Sequence, residues 1–257
     1  MEVYVINLKD AVERKISITR QLEKLDIPYE LFEAINGRSL SDDELAEKVD
    51  MGEVRKHPDW LTKGALGCAL SHIAVYKKIV ESNSEWNLIL EDDVVVSDEL
   101  KNILSHIEKN GQVYKNNLNL LYSLSKYGPI KLSSEIVHTI GLYNVHKVLN
   151  KTPGGAGAYI IHRRVAASFL SMKEKIKVAP DAWSYFLEKR VFSEINCFYP
   201  FVARPGFFES TIGYVNEHSF IYRIKHFVEK NKLQPFYAIL KWNRRRVWKQ
   251  TSNIVFK

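Results

Sequence analysis

The sequence predicts an α/β protein with a parallel sheet flanked by helices. Three observations lead there. The chain opens with an apolar run, an amphipathic stretch and a second apolar run, the β-α-β order that builds parallel sheets. Leu88-Ile89-Leu90 has the look of a buried strand. A small-residue turn, Pro153-Gly154-Gly155-Ala156-Gly157, feeds the apolar run Ala158-Tyr159-Ile160-Ile161, and a helical pattern follows it.

Val3 to Leu8 reads as the first strand, ending at Asn7-Leu8-Lys9-Asp10. The helix after it places Ile16, Leu22 and Leu25 on an apolar face and turns Arg14, Lys15 and Arg20 away. Pro28 ends that helix, and residues 29–34 form a second strand stopped by the turn signal Asn36-Gly37. Ser41 starts a short helix to Val49, with Glu44 three residues on completing a capping-box pattern. Residues 62–80 form a longer helix on which Leu66, Leu70, Ile73 and Tyr76 recur at helical spacing. After the strand into Glu91, Asp98 initiates a helix carrying Leu100, Ile103, Leu104 and Ile107. Residues 119–124 read as strand, and 125–156 mix short apolar pieces with turn residues, as a long functional loop does. Helices are expected over 163–175 and 181–190.

The 257 residues, 46% hydrophobic and 26% charged, describe an ordinary globular protein, here one large domain with an appendage. The expected division is a body over residues 1–219 and a basic, amphipathic helical tail over 220–257. Charge follows that division. The tail holds ten Lys/Arg against one acid, Glu229, for +9, and the body holds 27 basic against 29 acidic side chains, for −2. A near-neutral body argues against nucleic acid as a partner and for a locally basic docking segment. In the tail, Phe220, Ile224, Phe227 and Val228 share one face of a first segment. Beyond Gln234-Pro235, a second segment mixes Phe236, Tyr237, Leu240, Trp242 and Trp248 with Arg244-Arg245-Arg246. Aromatic and cationic residues together suit the headgroup region of an anionic membrane; a helix packing on the body with a solvated basic face has the same pattern. Cys68 and Cys197 lie far apart without metal-type spacing, so reduced thiols are expected. No leader or spanning segment stands out, which points to a cytoplasmic protein, soluble or surface-bound.

The chemistry concentrates in Glu91-Asp92-Asp93. If strand geometry continued, Glu91 and Asp93 would face one side and Asp92 the other. Carboxylates in contact repel by roughly 4 kcal/mol at an effective dielectric of 20. A divalent cation carrying a phosphate relieves that repulsion, although a solvated acidic loop also reads this way. A place at the carboxyl end of a central strand, where open α/β sheets bind ligands, favours the cation.

Several motifs now fall in order: Val5-Ile6-Asn7-Leu8 with Arg14, Ala34-Ile35-Asn36-Gly37, residues 61–72 (LTKGALGCALSH), Leu90-Glu91-Asp92-Asp93 and Gly157-Ala158-Tyr159-Ile160-Ile161. Together, across roughly residues 2–215, they resemble glycosyltransferase family 25, the lipooligosaccharide and lipopolysaccharide galactosyltransferases related to the collagen galactosyltransferases. The resemblance implies a GT-A, Rossmann-like nucleotide-sugar-binding fold with a mixed, mostly parallel sheet, a UDP-sugar donor (usually UDP-galactose), Mn²⁺ or Mg²⁺ dependence, and inversion at the anomeric carbon. By analogy with the Asp-x-Asp run of GT-A enzymes, Asp93 binds the metal and Glu91 accepts from the ribose or a metal-bound water, with Asp92 beside them. Asn7, Leu8 and Arg14 fall where the nucleotide lies, Arg14 meeting the uracil edge or a phosphate; an exposed helix-face arginine is the plainer reading. His72 belongs to the family pattern and is assigned a donor contact, beside the reading as a satisfied core histidine. His218 is the candidate to complete the metal site.

Inversion needs a base for the acceptor hydroxyl. Asp181, in Ala179-Pro180-Asp181-Ala182-Trp183, is the candidate and Glu209 a substitute; an Asp before a helical run is equally an ordinary N-cap. Trp183 is placed to stack on an acceptor sugar, and Gly155 and Tyr159 fall on the acceptor side. Two departures matter: Ala65 stands where the family commonly has an acid, and 125–156 resembles nothing assignable. The expected activity is galactosyl transfer to a lipid-linked oligosaccharide at the inner face of the cytoplasmic membrane. The alternatives are a metal-dependent nucleotidyl- or phosphotransferase and a non-enzymatic basic peripheral membrane protein.

Overall fold

The computed structural model describes all residues except 126, 173, 207 and 209–219, and the backbone but not the side chains of 220–223 and 226. The opening is the expected unit: strand β1 (Glu2–Asn7), helix α1 (Val12–Lys24) and strand β2 (Glu30–Glu33), with β1 and β2 parallel. The apolar face of α1 is rotated from the expected one. Ile18 and Leu22 are buried with Leu25 packed beside them, while Ile16 is exposed. Arg14 shares this inward face, one helical turn before Ile18, because two carboxylates draw its guanidinium in.

Next come α2 (Asp42–Lys48), α3 (Met51–Lys56) and α4 (Lys63–Glu81). Ser41 and Glu44 form the reciprocal capping box. The unanticipated α3 is capped by Asp50, whose carboxylate accepts from Gly52 N and Glu53 N at 3.0 and 3.1 Å. Thr62 caps α4 through Ala65 N at 3.2 Å. Strands β3 (Trp86–Glu91) and β4 (Val94–Val96) lead to α5 (Leu100–Asn110). Asp98 does not cap α5; it pairs with Lys24 at 2.8 Å, and the N-cap is Glu99 without a side-chain bond.

The second half holds β5 (Leu118–Leu120), β6 (Ile130–Ile140), β7 (Tyr143–Val148), β8 (Ala158–His162), α6 (Arg163–Ser171), α7 (Trp183–Glu188), β9 (Ile195–Tyr199) and β10 (Ala203–Pro205). The tail forms α8 (Phe220–Lys230), α9 (Phe236–Thr251) and β11 (Ile254–Phe256). Where a loop was expected over 125–156, β6 and β7 make a hairpin turning at Gly141, whose φ is +59°. Strand β11 adds the tail's end to the sheet, parallel to β6.

The main sheet has nine strands in the order β11-β6-β7-β9-β5-β8-β3-β1-β2. All share one direction except β7 and β8, so the sheet is mixed and mostly parallel, with helices on its faces. Side chains alternate across it. Val3, Val5, Leu88 and Leu90 enter one core with Ile18, Leu22, Leu100 and Ile103, while Tyr4, Ile6 and Ile89 enter the other with Val75, Tyr76, Ile79 and Phe169. Between two buried faces, β3 has no solvated side until its last residue, Glu91.

Two glycines fix how α4 meets the loop after β2. A Cβ on Gly37 would lie 1.8 Å from Lys63 O, and one on Gly67 would lie 2.5 Å from Ile35 O. Only glycine permits this backbone approach. Ser71 fastens the crossing, donating to Gly67 O at 2.7 Å and accepting from Ile35 N at 2.8 Å. Among the described residues no helix is long and apolar enough to cross a membrane.

Candidate active site

The carboxyl ends of β1 and β3, the start of α1, the loop after β2 and the first turns of α4 enclose a cavity of about 680 Å³. Leu8, Arg14, Glu91, Asp92 and Asp93 line it, with Lys9, Asp10, Glu33, Arg38 and Cys68. Strand geometry stops at Glu91: Asp92 and Asp93 form the turn into β4, so the expected alternation of the three acids does not hold. Instead one arginine serves both aspartates. Arg14 Nε lies 3.1 Å from Asp92 Oδ1, and its Nη2 pairs with Asp93 Oδ2.

Each carboxylate has its own environment. Asn7, at the end of β1, donates to Asp92 Oδ2 at 2.7 Å. Burial raises the Asp92 carboxyl above its ordinary value, opposed by Arg14 and Asn7. Asp93 is pushed up to about 6 by burial, against Arg14 and with the charges of Glu91 and Asp92 adding to the rise. Burial works against the charge on Glu91 too, yet the hydrogen bond and charge of His72, with Arg14, hold it below the ordinary range. His72 Nε2 lies 3.3 Å from Glu91 Oε1, and its Nδ1 meets the Tyr159 hydroxyl at 2.8 Å. That hydroxyl in turn lies 2.7 Å from the Tyr76 hydroxyl. His72 is thus a buried prop for Glu91, and Tyr159, fully buried, a prop for His72.

Asp181 is not a helix cap. Its Oδ2 accepts from Gly155 N at 3.1 Å, and α7 begins without a side-chain cap. Burial raises its carboxyl, the Gly155 N–H opposes the rise, and the Glu91 charge adds to it, so Asp181 shares the field of the acidic run. Gly155, at φ +101°, is clamped from its other side by Trp183, whose Nε1 donates to Gly155 O at 3.3 Å. Trp183 is 0% exposed, so its ring packs in the core and offers no open face to a sugar. His218 and Glu209 lie outside the described residues.

Three contributors had no assigned role in the sequence reading. Cys68 sits one helical turn before His72 and donates to Glu91 Oε1 at 3.7 Å; helical spacing alone places the two on one face. Burial, and then the neighbouring anions, raise its thiol well above the ordinary value, so it sits there as a neutral SH. Tyr122 fills the space over Gly157, where a Cβ would lie 2.3 Å from its hydroxyl. Phe208 stands 6.0 Å from the Arg14 guanidinium. Nothing local in sequence announces Tyr122 or Phe208.

A cation fits here on the chemistry of the donor set. Asp93 remains raised to about 6 with Arg14 already beside it, so one guanidinium does not neutralise three carboxyls, one buried and two half-buried. Oxygen donors of this kind match a hard divalent ion. Cys68, His72 and Glu91 also bring ligand-type atoms within 4.8 Å of one another. There, however, Glu91 already accepts from His72 and the thiol is held neutral.

Comparison with known proteins adds the family. A family model described as glycosyltransferase family 25 (LPS biosynthesis protein) matches residues 1–183. Procollagen galactosyltransferase 1-A of Xenopus laevis is 28% identical over 187 residues, covering 70% of this chain and 29% of that protein. A putative glycosyltransferase of Haemophilus influenzae is 35% identical over 101 residues, covering 39% of this chain and 35% of that one. A putative glycosyltransferase of Acanthamoeba polyphaga mimivirus is 29% identical over 175 residues, covering 66% and 52%. The chain therefore spans about half or less of these relatives' length. Among solved structures, a glycosyltransferase involved in the glycosylation of the major capsid of PBCV-1 aligns at a TM-score of 0.35 and 11% identity, covering 76% of this chain and 80% of that one. The match over residues 1–183, well over half of the chain, leads to one statement: the chain belongs to glycosyltransferase family 25.

Proposed function

We propose that this chain is an inverting, GT-A-type galactosyltransferase that moves galactose from UDP-galactose to a terminal sugar of a lipooligosaccharide or lipopolysaccharide core. The observation that carries the reading is the Glu91-Asp92-Asp93 run at the end of β3, lining a cavity large enough for a nucleotide-sugar and bordered by Arg14. Galactose rather than another hexose rests on the names of the relatives.

When bound, Mn²⁺ or Mg²⁺ held by Asp93 supplies electrostatic stabilisation to the departing diphosphate. The chain's own residues do the rest. Asn7 and Leu8 close the donor end of β1, Arg14 borders the donor pocket while its guanidinium holds Asp92 and Asp93, and Glu91, propped by His72, accepts from the donor. Asp181 takes the proton from the attacking acceptor hydroxyl. Its raised carboxyl keeps it a competent base near neutrality, and Gly155 N–H holds one oxygen in place. Gly155 shapes the acceptor side, while Tyr159, fully buried, holds His72 and does not meet the acceptor.

The test is turnover of a panel of UDP-sugars by the purified chain, with Mn²⁺ or with EDTA. Metal-dependent turnover of UDP-galactose, lost in Asp93→Ala, is expected. Preference for another donor would overturn galactose, and failure of UDP to bind in Mn²⁺ would overturn the whole reading.

A further inference from the structure

We propose that α8 and α9 form a foot that docks on the surface of an anionic lipid bilayer. The basis is which side of α9 the protein uses for itself. Tyr237, Leu240, Arg244, Trp248 and Thr251 follow helical spacing and are half-buried positions of α9, with Lys241 beside them. Trp248 packs 5.9 Å from the Tyr122 ring and 5.8 Å from Phe201, and Arg244 pairs with Glu229 of α8. Strand β11 then ties the end of the tail into the sheet. The helix is therefore anchored by its inner stripe.

Among the described residues the opposite side has no such use, yet it is not polar. Phe236, Ile239 and Trp242 are 61%, 55% and 60% exposed, and Arg246 and Lys249 continue the same stripe. Arg246 lies over the Trp242 ring at 5.4 Å. Helix α8 adds exposed Ile224, Lys225 and Phe227 while burying Val228 against the protein.

Charge complementarity selects the occupant. The single acid of the tail, Glu229, pairs with Arg244, and Lys232 pairs with Glu13 of the body at 3.0 Å, so the outward stripe of α9 carries Arg246 and Lys249 beside large apolar side chains and no acid of its own. Lipid phosphates take the cations, and tryptophan and phenylalanine settle at headgroup depth. A second protein would need a patch both apolar and acidic. This inference stands apart from the sugar-transfer reading, because its test measures lipid binding alone.

The test is co-sedimentation of the full chain with vesicles of phosphatidylcholine, pure or with about one quarter phosphatidylglycerol. Binding to the mixed vesicles that weakens with salt, and little binding to the neutral ones, is expected. Replacing Arg246→Gln and Lys249→Gln should cost about fivefold in affinity per cation, or about 1 kcal/mol each. Ile239→Ser with Trp242→Ala should weaken binding at an unchanged melting temperature, since both side chains are exposed. Equal binding to neutral vesicles, no binding to either kind, or charge variants with unaltered affinity would overturn the proposal. Self-association abolished by Trp242→Ala, without lipid binding, would assign the face to a second copy.

Discussion

Asn7 donates its side-chain amide to Asp92 Oδ2 at 2.7 Å, tying the end of β1 to the turn after its parallel neighbour β3. The bond satisfies a carboxyl that burial disfavours as an anion. Asn7→Ala would leave that oxygen without its donor, at about 1–3 kcal/mol of stability. Urea unfolding checks this, and a loss under half a kcal/mol (roughly one tenth of a typical domain's stability) would show that Asp92 finds a substitute.

His72 makes the equivalent contact with Glu91, and Tyr159 orients it. His72→Phe keeps an aromatic of similar bulk but removes both hydrogen bonds. The Mn²⁺ concentration for half-maximal turnover should rise about tenfold to a hundredfold, as when outer-shell partners of a metal site are lost. An unaltered metal dependence would make His72 a core residue only.

Asp93 predicts a pH dependence with a definite sign. Its carboxyl lies at about 6 in the folded chain against an ordinary value of 3.8. Above 6 the half-buried anion lowers stability. Between 6 and 3.8 the folded chain holds a proton that the unfolded chain does not, so that cost fades as pH falls. Asp93→Asn should therefore raise the melting temperature at about pH 7.5 and have little effect near pH 4. Added Mn²⁺ should stabilise the parent chain but not this variant.

Asp181 separates positioning from proton transfer. Asp181→Asn retains an oxygen that can accept from Gly155 N but cannot take a proton. Turnover should fall by about 10²–10⁴ with unfolding unchanged. Binding of UDP in Mn²⁺, measured by calorimetry, should stay within a factor of about two. A fall in UDP affinity instead would move Asp181 to the donor side.

Gly67→Ala places a methyl 2.5 Å from Ile35 O and 2.4 Å from Gly37 N, both backbone atoms. Overpacking of this kind costs about 1–3 kcal/mol when neighbours can shift. Here they are main chain, so the upper end or more is expected. A lower urea midpoint checks it.

What the sequence determined by itself was local. The β-α-β opening, the Ser41–Glu44 box, the apolar spacing of α4 and the strand ending in three carboxylates depend on residues within one or two turns of each other. Each reappears in the structure. The family motifs were legible for the same reason, since each glycine or acid stands beside the strand or helix it serves.

Tertiary structure decided the rest. Arg14 turned inward because Asp92 and Asp93, from a distant part of the chain, supply its counter-charge. Trp183 became a buried clamp because its ring packs against Tyr159 and Phe186 in the core while its N–H meets Gly155 O. β6 alternates poorly, with register shifts between Leu132 and Ile136 and between Ile136 and His138, and exists because β7 and the distant β11 pair with it. Hydrogen bonds between strands and charge pairs across a cavity join residues far apart in sequence, so local spacing carries no trace of them.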